Sequence, residues 1–231
     1  MIRHVRLLPL AVALAACASR SPVQREMLTH YQRVGEVQAA LIRGDLATAR
    51  AAARWVAEHD EVSGLPDAGT PWLAAMRSEA RAVVGASTEV LAAGAAARMG
   101  KTCGDCHRAV RQGPRMVVMA PPPETRTAMS THVVRHQWAA DRMWDGLIGP
   151  SDSAWNAGAA VLGEQPIYQA DVGMRTGRFA EAEEMAQRVV ALGYRARASA
   201  DGFERASIYG EFLASCAACH TAVGVRHPPA R

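Results

Sequence analysis

Residues 216–223 read CAACHTAV, and residues 103–110, 113 positions earlier, read CGDCHRAV, so one Cys-x-x-Cys-His unit occurs twice with the same Ala-Val tail. On a helix, residues i and i+3 share a face, so Cys103 with Cys106, and Cys216 with Cys219, can present two thiols to one flat object. Two thiols on one side suit two vinyl groups. The residue that follows, His107 or His220, then sets a neutral imidazole beside the attached macrocycle as a proximal iron ligand. The spacing is the attachment signature of c-type haem, and the chain is expected to hold two. A zinc site normally pairs two Cys-x-x-Cys units across roughly 15–20 residues, whereas Cys106 and Cys216 stand 110 apart. A thioredoxin-like redox pair needs a βαβ context, and strand-like alternation is nearly missing from this sequence.

Working outward from the second motif, DGFERASIYGEFLASCAACH (201–220) reads as one long helix, the fourth of a set. MSTHVVRHQWAADRMWDGL (129–147), SDSAWNAGAAVL (151–162) and FAEAEEMAQRVVALG (179–193) supply the other three, with a connection of open shape at 163–177. The first half repeats this order. Helices are expected over 24–43, 46–60, 71–84 and about 87–112; Thr70 is placed as an N-cap before Pro71, and Gly113-Pro114 stop the helix that carries the first motif. Shifting the chain by 102 pairs Met27 with Met129, Thr29 with Thr131, His30 with His132 and Arg33 with Arg135, which supports an internal repeat. The expected fold is all-α: two tandem four-helix bundles over 23–119 and 125–231, each with a haem c motif on its last helix, joined by the Pro-rich linker 120–124.

Only Cys17 remains among the five cysteines. It follows a basic start at Arg3 and Arg6 and an apolar run from Leu7 to Ala16 that is too short to span a bilayer. Residues 1–16 read as a bacterial secretory signal. Leu14-Ala15-Ala16-Cys17 resembles a lipobox, so Cys17 is the expected lipidation site, with 17–22 as the anchored linker. The expected location is the periplasm, on the inner or the outer membrane, and Ala18 slightly favours the outer one. Loss of the signal lowers the formal charge from +4 to +2, and the arginines are scattered among acids. No nucleic-acid function is expected. Aromatic residues make up 5% of the chain and many expected helix faces carry Ala, consistent with a core that a large apolar plate completes.

A haem motif on the last helix of a four-helix unit resembles the class II cytochromes, the cytochrome c′ and cytochrome c-556 group. The likeness covers nearly the whole mature chain and is specific at the two motifs. A class I fold would need a distal Met well downstream of its motif, and the 11 residues after His220 contain none. In the class II group a residue near the start of the first helix faces the distal side of the haem. That resemblance implies His30 and His132, or alternatively Met27 and Met129, as distal residues, with an open iron position as the third possibility. Arg33 and Arg135, one turn further along, are candidate propionate partners. His59, His136 and His227 have no repeat partner and read as surface or spare histidines. The expected role is a carrier of single electrons between redox partner proteins and not an enzyme, since no acid–base cluster can be named. The alternative is capture or sensing of nitric oxide or carbon monoxide.

Overall fold

The structure, a computed structural model, describes residues 20–123, 129–164, 177 and 179–222. Among them the regular elements are eight α-helices and one 3-10 turn, with no strand, so the all-α expectation holds. The helices are α1 (Pro22–Ile42), α2 (Leu46–Glu58), α3 (Thr70–Gly85), α4 (Glu89–Ala109), α5 (Met129–Ile148), α6 (Asp152–Glu164), α7 (Phe179–Ala198) and α8 (Gly202–Ala222). None of the described helices is long and apolar enough to cross a membrane. The signal segment, Cys17, Ala18 and His227 lie outside the described residues.

Local chemistry sets most helix ends. Ser21 and Gln24 form a reciprocal capping box at α1, with Pro22 at the first helical position. Asp45 caps α2 through the Thr48 amide at 2.9 Å, just after Gly44 turns the chain with φ +73°. Asp201 caps α8 by accepting from the amides of Phe203 and Glu204. Two ends differ from the sequence reading. The 3-10 turn Asp67–Gly69 runs directly into α3, so Thr70 is already helical and Gly69 takes the cap position. And α4 stops at Ala109, about one turn early, because Arg111 adopts φ 55°. Its amide donates to Arg108 and the Gln112 amide donates to His107, the paired bonds of a Schellman ending built without glycine. The chain then folds back over the motif: a Cβ on Gly113 would come 2.9 Å from the His107 Cβ.

Neighbours in sequence pack on one another within 22–109 and again within 129–222. The two sets meet mainly through their motif-bearing helices, α4 against α8, and buried side chains from both sets form one cluster. Small residues allow this close approach. Ala92, Ala93, Ala95, Ala96 and Ala97 are buried on α4, and a Cβ on Gly210 would lie 3.0 Å from the Gly94 Cα. The Ala-rich faces therefore serve helix contact here, while aromatic rings fill the wider gaps: Trp144 covers Gly100 and stacks on Tyr209 at 5.5 Å. Trp155 is fully buried and donates to the Ala196 carbonyl at 2.8 Å, tying α6 to α7.

α4 and α8 run antiparallel, since Gly94 faces Gly210 while Lys101, further along α4, lies over the Phe203 ring near the start of α8. Each set's first turn reaches the other set's motif helix. The α5–α6 turn lies on Gly104, where an added Cβ would collide with the Leu147 carbonyl oxygen. The α1–α2 turn lies on Ala217, whose carbonyl oxygen is 3.2 Å from a Cβ built on Gly44. Contacts of α1 with α8 mirror those of α5 with α4, an approximate two-fold relation about the centre of the α4–α8 pair.

Candidate functional site

A cavity of about 940 Å³ opens beside the end of α4. This volume lies toward the upper end of the range for small-molecule and cofactor pockets. Cys103, Cys106 and His107 line it from α4, Met27 and Tyr31 from α1, and Trp72 and Met76 from α3. The segment after the Schellman turn closes another side with Met116 and Val117, and α5 contributes Asp145 and Ile148. Motif and first helix thus converge on one space, although 70 or more residues separate them in sequence.

Burial pushes the Cys103 thiol up to about 12, with neighbouring Cys106 adding to the shift, and burial raises Cys106 as well. The Cys103 Sγ lies 3.9 Å from the Met76 sulfur. Burial thus favours the protonated form of both thiols. His107 places Nδ1 2.7 Å from the Ile148 carbonyl oxygen, an orphan acceptor at the end of α5. Burial holds the ring below the usual histidine pKa, against the opposing pull of that hydrogen bond. With Nδ1–H donating, the neutral ring keeps its Nε2 lone pair, the tautomer an axial metal ligand needs.

The second motif lies at the end of α8. Burial raises the Cys216 thiol to about 12, with Cys219 adding to the shift, and burial also raises Cys219. The candidate distal residues of this half, Met129 and His132, fall in the first turn of α5, and their side chains lie outside the described residues. Because α4 and α8 are antiparallel, Cys216–Cys219 stand level with the start of α4, about 18 residues from Cys103–Cys106, or roughly 27 Å along the axis at 1.5 Å per residue.

Comparison with protein-family models, with curated proteins and with solved structures found no match to this chain. The site's chemistry therefore rests on its own residues. Met27 lines the cavity. His30, three residues on, also borders it, but its ring packs edge-on against Trp55 and His59 of the α2 side, at 5.2 and 5.0 Å. Arg33 pairs with Glu36 at 2.9 Å and lies over Trp55, and it is not among the cavity residues. Arg135 bonds the Pro122 carbonyl and pairs with Glu164 at 3.2 Å. Arg20 is the arginine that borders the cavity, at the mouth beside α1.

Several site residues escaped the sequence reading. Tyr31 donates to Asp145 at 3.2 Å, and Asp145 pairs with Arg142 at 2.7 Å, a partly buried seam joining α1 to α5 at the cavity wall. Gln38 extends the seam by donating to the Tyr209 hydroxyl at 2.8 Å. Burial raises the Asp145 carboxyl above its ordinary pKa, with Arg142 and the Tyr31 hydrogen bond opposing. No short motif announces such a seam, since the partners that join α1 to α5 and α8 lie more than 100 residues apart. His59 is not a spare surface histidine. It stacks on Trp55 at 4.4 Å beside His30.

Proposed function

We propose that the chain is an exported, lipid-anchored dihaem c-type cytochrome of the class II kind, built as two four-helix units and carrying single electrons between redox partner proteins. One observation carries this reading: a cavity of about 940 Å³ brings together the two protonated thiols of a Cys-x-x-Cys-His motif and a histidine whose Nδ1 is already bonded to the Ile148 carbonyl. Cys103 and Cys106, and in the second half Cys216 and Cys219, would hold haem c through thioethers, with His107 and His220 as proximal ligands. When bound, the group supplies a one-electron iron couple. The chain's own part is to orient His107 from α5, to exclude water with Trp72, Met76 and Met116, and to offer Arg20 at the mouth for a propionate.

The antiparallel α4–α8 pair puts the two Cys-x-x-Cys-His motifs at opposite ends. Tunnelling falls off exponentially with distance, so each site serves its own partner surface more readily than it serves the other site. Electron paramagnetic resonance and a redox titration of the oxidised protein are expected to give two independent, uncoupled signals. Spin coupling between the two irons would overturn that arrangement.

A second reading, capture of nitric oxide or carbon monoxide, is favoured by the placement of His30, whose ring is held by Trp55 and His59 while Met27, Leu28 and Val34 of α1 border the cavity. Absorption spectra of the oxidised, reduced and carbon monoxide-treated protein separate the two. Low-spin spectra with slow carbon monoxide uptake support the carrier; high-spin spectra with rapid uptake support the sensor. A protein that shows no haem absorption at all removes both.

The lipid anchor is tested by fractionation. Wild-type protein is expected with membranes and Cys17→Ala in the soluble periplasmic fraction, because an acyl chain supplies most of such an attachment. Soluble wild-type protein would refute it.

A further inference from the structure

Glu26, His30 and His59 place one ligand atom each within 4.8 Å of one another, at the junction of α1 with the end of α2. This cluster is separate from the motif thiols and His107, and three features mark it as more than a chance meeting. His30 is only 4% exposed, yet its Nε2 has no hydrogen-bond partner. An unpaired buried polar atom is costly unless something is there to meet it. Its Nδ1, 3.0 Å from the Glu26 carbonyl oxygen, is the donor, so Nε2 carries the free lone pair. His59 Nε2 stands 3.3 Å from Glu26 Oε2 without forming a hydrogen bond. Two atoms bound to one tetrahedral zinc at about 2.05 Å are separated by roughly this same distance, about 3.3 Å. Trp55 also stacks on the His59 ring and turns an edge to His30, which holds both imidazoles in place.

We propose that Glu26, His30 and His59 form a binding site for a divalent transition metal of the zinc type, distinct from the haem sites. Two neutral imidazoles and one carboxylate suit a borderline cation and leave a fourth position for water. Glu26 and His59 are part-exposed and give the ion an entry path, while buried His30 closes the inner side. The ion ties the first turns of α1 to the end of α2 and holds His30, which borders the first cavity, against Trp55 and His59.

The test uses the full-length holo-protein, stripped with a chelator, equilibrated with zinc chloride and desalted, with zinc and iron counted together by mass spectrometry. Wild-type protein is expected to retain one more zinc per chain than His59→Ala or Glu26→Gln, and zinc is expected to raise the melting temperature of the wild type alone. Titration calorimetry should show the affinity falling about 100-fold or more in either variant. Iron content is expected to be unchanged in both, so a failure of the haem proposal appears in the iron count and not in the zinc difference. Equal zinc in wild type and both variants, or no zinc in any, overturns the site. Should His59→Ala lose helical circular dichroism, Glu26→Gln, altered at a part-exposed carboxylate, decides the matter.

Discussion

Replacing Cys103 and Cys106 together by serine is expected to remove one of two covalent haems, halving the haem stain of the denatured band and the iron content per chain. Both thiols line one cavity, where burial favours their protonated form. Serine is close in size, so the cavity walls from α1 and α3 stay in place. The other motif lies about 27 Å away along α8, beyond the reach of any local rearrangement. Its stain should therefore survive, and the reciprocal Cys216→Ser/Cys219→Ser variant should show the complementary half. Unchanged staining in the first variant would refute attachment there. Loss of all stain, with helical circular dichroism retained, would refute two independent sites.

The second large effect is on stability, and its sign tells propensity from packing. Gly104→Ala in the first motif replaces a mid-helix glycine, which on helix propensity alone should stabilise the chain by about 1 kcal/mol. Here the new methyl meets the Leu147 carbonyl oxygen, a backbone atom at the end of α5 that cannot rotate aside. Overpacking of this kind costs about 1–3 kcal/mol, so after the propensity gain a net loss of up to about 2 kcal/mol is expected, lowering the melting temperature by up to about 8 °C. Displacing α5 also draws the Ile148 carbonyl away from His107 Nδ1, so the spectrum of the first haem should change with stability. The mirror substitution, Ala217→Gly, relieves no clash and should cost only the propensity difference, about 1 kcal/mol. A Gly104→Ala protein more stable than wild type, with an unaltered spectrum, would show that α5 does not press on the motif.

Helix identity was legible from sequence because it is local. Periodic apolar positions such as those in 24–43 act within one or two turns, and the helix they indicate is present as α1. Where the reading slipped, a local conformation without a residue signature prevailed: Arg111 ends α4 with a left-handed turn that glycine usually supplies, and α7 continues to Ala198, five residues beyond the expected end at 193.

By itself the sequence determined the all-helical class and the two Cys-x-x-Cys-His units on which the haem proposal rests, since helix periodicity and motif spacing are written in residues three and four apart. Only the tertiary structure decided what surrounds that chemistry. The antiparallel crossing of α4 and α8 at Gly94 and Gly210 separates the two motifs, and the α5 terminus supplies the carbonyl that orients His107. Likewise, His30 meets His59 and Glu26 because α1 packs on α2, although the repeat had paired it with His132. These relations depend on which small residues let two backbones approach and on which buried polar atoms then find a partner. Both are properties of surfaces that form only when distant segments pack together, so no window along the chain contains them.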